Sequence, residues 1–190
     1  MNPLRALADN PLRLVNLKAL QVAYDLVVEE FEQLGFYDDR LYQVEVYLVP
    51  VSWAYGFQRY GGDRSINIPA VSGSHLLDVF RGERTDLCDV LRHEYGHAVA
   101  DTHRGLMRSR RFSSVFGGSH ESGHSREYDP DEHVTVYAAT NPSEDFAELF
   151  YLYLRNQGQL PRCYNKPRIR TKWQFIRDLS WAIQQGRRRW

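Results

Sequence analysis

The pentapeptide His93-Glu94-Tyr95-Gly96-His97 sits inside a run whose apolar residues, Leu87, Val90 and Leu91 before it and Ala98 and Val99 after it, recur at helical spacing. The pattern predicts a helix over residues 86–100. Residues four apart on a helix stand one turn above each other on the same face, so the two imidazoles converge. Nitrogens held in that way reach a single zinc ion at about 2.0–2.1 Å. Glu94, one residue further round, is displaced from the ideal position for a ligand but close enough to bond a water held by the ion. A catalytic zinc takes three protein ligands and keeps one position open, so a third ligand must come from elsewhere in the chain.

The chain carries the same pattern a second time, at His120-Glu121-Ser122-Gly123-His124. Gly117-Gly118-Ser119 and Ser125-Arg126 flank this copy, and no apolar periodicity holds a helix face in place. Two histidines four apart converge only on a helical backbone, so the copy is read as part of a polar loop or lid over residues 104–131. From there it could overhang the His93–His97 pair as a proton donor or a self-inhibitory ligand.

Residues 137–148 offer the best third ligand. Asn141 is suited to cap a helix with Pro142 at its first position, and Glu144 then falls in the first turn, where a capping carboxylate is the competing role. Glu148 is the only charged residue between Phe146 and Leu154, a run so apolar that the helix, predicted over 142–155, must be buried on most of its circumference. A carboxylate there needs a partner, and the N–H of a metal-bound imidazole supplies one. Glu144 and Glu148 are one turn apart, so one can bind the metal while the other orients a histidine.

With HExxH on one helix, Glu-x-x-x-Glu on a second some 47 residues on, and a tyrosine seven residues before the first of those glutamates, the chain resembles the gluzincin metallopeptidases. It is most similar to the catalytic domain of anthrax lethal factor and to bacterial zinc-binding metallopeptidases. The resemblance covers about residues 86–153. It implies that His93, His97 and Glu144 ligate one zinc ion per chain, that Glu94 is the general base, that Tyr137 steadies the oxyanion and that Glu148 supports a ligand from behind. It also implies a zincin-like α+β fold: a small twisted sheet with an edge strand beside the HExxH helix, and a second helix bearing the glutamates. The long histidine-bearing loop and the arginine-rich carboxyl terminus depart from the pattern.

Elsewhere, Leu14, Leu17, Leu20, Tyr24, Leu26, Val27 and Phe31 predict an amphipathic helix over 12–34 that stops at Gly35. Alternation over 43–49 predicts a half-buried strand that Pro50 ends or confines to an edge. Residues 53–60 and 64–68 read as a hairpin about Gly61-Gly62-Asp63, with 64–68 as the edge strand that receives an extended substrate. Trp53, Phe57 and Tyr60 are candidates for a pocket or the core. A last helix is predicted over 173–185. Asp101 and His103 could assist the zinc helix or simply cap its end.

With 190 residues, 43% hydrophobic and 25% charged, the chain is read as one domain able to bury a core, and bulk disorder is excluded. Its 24 basic and 24 acidic residues exclude a uniformly basic nucleic-acid binder. That balance hides an asymmetry: residues 151–190 carry ten basic side chains and one acid, Asp178. The basic segment, 162–190, either packs back on an acidic body or recruits an acidic partner. Two cysteines, Cys88 and Cys163, are too few for a disulfide scaffold. Charges at Arg5, Asp9, Arg13 and Lys18 interrupt the first 20 residues, so neither a signal peptide nor a membrane span is expected, and the cytoplasm is the expected compartment. The leading expectation is a zinc peptidase acting on a peptide or protein. The alternatives are an inactive zincin scaffold that binds a peptide or protein partner, and a protease tethered to nucleic acid by its basic end.

Overall fold

Asn16 opens the first helix, α1 (Leu17–Leu34), by accepting the Ala19 N–H at 2.9 Å, and Gly35 closes it at φ 75°, in the left-handed region that glycine enters at least cost. Leu20, Ala23, Val27 and Phe31 form its buried stripe. The computed structural model describes residues 15–53, 55–72 and 86–190, so residues 12–14 of the predicted helix lie outside the described ones.

Strands β1 (Val44–Ser52), β2 (Gly56–Tyr60) and β3 (Asp63–Ser72) form a sheet in the order β1-β3-β2, with β1 parallel and β2 antiparallel to β3. The hairpin closes where Tyr60 faces Asp63, with Gly61 at φ 62°. β1 runs through Pro50, which has no place in the register and is tolerated because β1 is an edge. The expectation that residues 64–68 form the edge strand is corrected: β3 is central, and β2 is the edge on the hairpin side. Alternation along 64–68 reports the buried face, through Ile66 and Ile68, but carries no signal for which edges are paired.

Asp86 caps the next helix, α2 (Leu87–Thr102), through the Cys88 N–H. The predicted loop over 104–131 is also corrected in its first half. It begins with two short helices, α3 (Arg104–Met107) and α4 (Arg110–Phe116), which bury Leu106, Met107, Phe112 and Phe116. Ser109 caps α4 and Gly117 ends it; the interspersed arginines hid the apolar stripe of such short turns. Residues 117–136 form no helix or strand. After a 3₁₀ turn, Tyr137–Thr140, comes α5 (Pro142–Arg155), whose cap Asn141 accepts from Ser143 N and Glu144 N as its sequence predicts. The last helix, α6 (Pro167–Gln184), starts six residues before its predicted first turn, with Pro167 at its first position and Ile169 and Lys172 buried. Among the described residues the architecture is mixed α+β: a small three-stranded sheet and six α-helices sharing one hydrophobic core.

Two packings position the functional cavity. Gly96 lets α2 and α5 approach closely, since a Cβ there would lie 3.1 Å from the Cα of Ala147. Phe31 of α1 braces both helices from behind, packing on Tyr95 at 5.0 Å and Phe150 at 5.9 Å between ring centres. The basic carboxyl-terminal helix docks on the acidic body, with Lys172 on Asp145 at 2.6 Å, Lys166 on Asp131 at 2.8 Å, and Phe175 against Phe112 and Phe116. Cys88 and Cys163 are both free. No helix among the described residues is long and apolar enough to cross a membrane.

Candidate metal centre

His93 and His97 project from one face of α2 with their Nε2 atoms 3.3 Å apart. Glu144, in the first turn of α5, brings Oε2 to 3.3 Å from His93 Nε2 and 3.4 Å from His97 Nε2. These three ligand-type atoms could hold a metal ion. Glu144 Oε2 is buried, and its contacts with the two imidazole nitrogens at 3.3–3.4 Å fall short of well-formed hydrogen bonds, so a cation between the three atoms would stabilise it. The mutual separations of 3.3–3.4 Å match the edge of a tetrahedron with arms of about 2.0–2.1 Å. Two imidazoles and one carboxylate are also a donor set suited to a first-row divalent ion.

Each histidine is held from behind. Glu148 Oε1 lies 2.9 Å from His93 Nδ1, and its other oxygen accepts the Thr135 hydroxyl at 2.7 Å. Ser143 Oγ stands 3.2 Å from His97 Nδ1 and 3.2 Å from His120 Nε2. Where each Nδ1 carries the ring proton and donates it to these oxygens, the Nε2 atom is left to accept a metal ion in place of a proton. Burial disfavours a charged His93, yet the Glu144, Glu148 and Glu94 carboxylates outweigh it and lift its pKa to about 10. Burial acts on Glu144 in the opposite sense from its neighbours, and the two histidines hold its carboxyl far below the usual range. The same negative field that stabilises a proton here would stabilise a metal cation.

The centre opens on a cavity of about 460 Å³ lined by Tyr55, Phe57, Glu94, His120 and Tyr137, among others. Glu94 Oε2 accepts the backbone N–H of Phe57 at 2.7 Å, which ties α2 to the edge strand β2. Tyr137, on the 3₁₀ turn before α5, has its ring 5.9 Å from that of His93. Partial burial, with the charges of Glu144, Glu94 and Glu148, raises its hydroxyl to about 12, so it remains a proton donor at neutral pH.

Every residue proposed from the sequence for the centre, His93, Glu94, His97, Tyr137, Glu144 and Glu148, lies on this cavity or directly behind it. The second HExxH copy is non-helical and its members part company: His124 is exposed, while His120 reaches the cavity and touches Ser143. Burial lowers the pKa of His120 to about 4, with His97 acting in the same direction, which keeps it neutral near pH 7. Trp53 and Tyr60 stand exposed and are not in the wall of this cavity; of that group Phe57 is. Asp101 binds Arg64 and Arg104, each at 2.8 Å, and His103 is buried beside Asp38 and Arg40. Both serve the fold around the end of α2.

Ser143, Thr135 and the Phe57 N–H were not legible as parts of the centre. Ser143 had one usable signal, its place beside Glu144 in a capped first turn; Thr135 and the role of the Phe57 backbone N–H had none, because only long-range packing brings them in. No protein-family model, curated protein or solved structure matches this chain.

Proposed function

We propose that this protein is a zinc-dependent peptidase of the gluzincin type with a zincin-like fold. The observation that carries the reading is the convergence of His93 Nε2, His97 Nε2 and the buried Glu144 Oε2 at 3.3–3.4 Å, beside the Glu94 carboxylate and an open cavity. His93, His97 and Glu144 would hold one zinc ion, whose chemical contribution when bound is Lewis acidity. Glu94 takes a proton from the attacking water and passes it to the leaving amine. The Tyr137 hydroxyl donates to the oxygen that gains charge as the peptide carbonyl becomes tetrahedral. Glu148 and Ser143 fix the rings of His93 and His97, and β2 borders the cavity as an edge along which an extended chain can lie.

Metal analysis of the purified protein, together with a casein-hydrolysis assay before and after chelation, tests this. About one zinc per chain and hydrolysis that is lost with the metal and returns on adding zinc back are expected. Metal bound without turnover on denatured proteins would replace the peptidase with a non-catalytic scaffold, and a protein that binds no divalent metal would end both readings. The hydrogen-bond frame makes a separate prediction. Ser143→Ala leaves the Asn141 cap intact because that cap uses the Ser143 backbone, but it frees the His97 ring. Zinc affinity, read by competition with a chromogenic chelator, should fall by about 10–100-fold. Unchanged affinity would show that the ring is held by other means.

A further inference from the structure

A series of three adjoining cavities, each with arginines in its wall, leads away from the candidate metal centre. Arg104 and Arg108 line the metal cavity and also a second cavity of about 510 Å³, which reaches Arg189 and Trp190. Arg104, Gly105 and Arg189 are in turn shared with a third cavity, of about 490 Å³. Neighbouring cavities share wall residues, so the three lie side by side between the candidate metal centre and residues 187–190.

The electrostatic sign reverses along this path. Its metal end is acidic, through Glu94 and Glu144. Seven arginines and a single carboxylate, Asp101, line the third cavity. Asp101 is already shared among Arg59, Arg64 and Arg104, and Arg40 is paired with Asp38. Arg187, Arg188 and Arg189 form no ion pair among the described residues, and Arg187 is held by stacking on Trp181, 4.4 Å from the ring centre.

These three arginines are a built wall. The carbonyl of Arg188 lies so close to Gly105 that a Cβ there would stand 2.1 Å from it, so only glycine admits the tail at this point. Beyond it, Trp190 Nε1 donates to the Leu106 carbonyl at 2.8 Å, and its ring lies against Phe175 and beneath Arg111. The tail is thus anchored beside the end of α2, with Arg187, Arg188 and Arg189 among the residues that line the third cavity.

We propose that this groove is a subsite for carboxylate-bearing residues of the polypeptide in the cleft, so that the enzyme prefers peptides acidic on one side of the bond it cuts. This rests on the peptidase reading for the identity of the cleft's occupant. Polypeptide is chosen over nucleic acid because the arginine-bearing cavities share wall residues with the cavity of the candidate metal centre, which the peptidase reading fills with a peptide. Unpaired cations along such a path attract an acidic chain over a Debye length and fix its direction.

The test reads binding and is independent of turnover. Fluorescein-labelled octaglutamate, octaglutamine and an oligothymidylate of equal length are titrated against the full chain by anisotropy, at low salt and at about 1 M, where the Debye length is about 3 Å. Octaglutamate should bind about tenfold more tightly than octaglutamine at low salt, and the difference should vanish at high salt. The triple substitution R187Q/R188Q/R189Q should abolish it, and so should Gly105→Val, which displaces the tail while keeping every charge. Equal binding of the two peptides, tighter binding of oligothymidylate, or a preference unaffected by the triple substitution would overturn the proposal. Selective octaglutamate binding by a chain that hydrolyses nothing would sink the peptidase reading and leave the groove standing. Casein hydrolysis without that selectivity would do the reverse.

Discussion

Glu94→Gln is expected to lower the rate of peptide hydrolysis by about 10²–10⁴-fold while the protein keeps its metal and its fold. The substitution isolates proton transfer. Glu94 Oε2 accepts the Phe57 N–H at 2.7 Å, and a glutamine carbonyl can accept the same bond, so the link between α2 and β2 survives. The residue is 8% exposed, and the amide occupies about the same volume as the carboxylate. None of the three proposed ligand atoms belongs to Glu94. What the amide cannot do is take a proton from water. A parallel measurement of zinc content and kcat separates the effects: a variant that retains full activity removes Glu94 from the mechanism, and one that loses its metal shows that the carboxylate helps to hold the ion. Glu94→Ala should be worse on stability, because the Phe57 N–H then loses its partner.

The largest effect on stability is expected from Lys172→Met, at about 3–5 kcal/mol. Lys172 and Asp145 are each 3% exposed in their side chains and meet at 2.6 Å, and Lys172 also donates to the Glu132 carbonyl. Burial drives the Asp145 carboxyl up to about 6 even with Lys172 beside it, a sign of how poorly the site solvates charge. Asp145 Oδ1 has no hydrogen-bond partner as it stands. Methionine fills the volume of the lysine stem but leaves a buried carboxylate without its cation. Against a typical domain stability of about 5–15 kcal/mol, such a loss lowers the midpoint of urea unfolding substantially. The double variant Lys172→Met with Asp145→Asn should recover most of it, since the unpaired charge is then gone. If the double variant is as unstable as the single one, packing of the lysine stem and its bond to Glu132 account for the effect. The pair joins α6 to α5, the helix that carries Glu144, so the basic segment helps to fix the candidate metal centre from behind.

The readings that held were local. The HExxH run, the Asn141-Pro142 start of α5 and the Gly35 stop of α1 depend on residues within a turn of each other, where spacing and capping chemistry act directly. Those that failed needed partners far along the chain. Nothing in residues 64–68 says that β1 returns parallel beside them and makes β3 central. The apolar positions of α3 and α4 are too few and too close to arginines to show a period, and only the burial of Leu106 and Met107 and the packing of Phe112 on α5 and α6 show them to be core.

Sequence alone determined which side chains could meet a metal: helical spacing puts His93 with His97 and Glu144 with Glu148, and denies the same geometry to His120 and His124. Tertiary structure decided which carboxylate faces the histidines and which stands behind one of them, since that depends on how α2 and α5 cross at Gly96 and Ala147. It also decided the fate of the neutral charge total. Part of the basic segment is spent on Asp145, Asp131 and Glu132, and part lines a groove next to the metal centre, because the fold returns the chain end to Gly105 and Leu106. Helix spacing is fixed by bond geometry within a few residues, whereas the crossing of two helices and the docking of a chain end are set by long-range packing that no local pattern encodes.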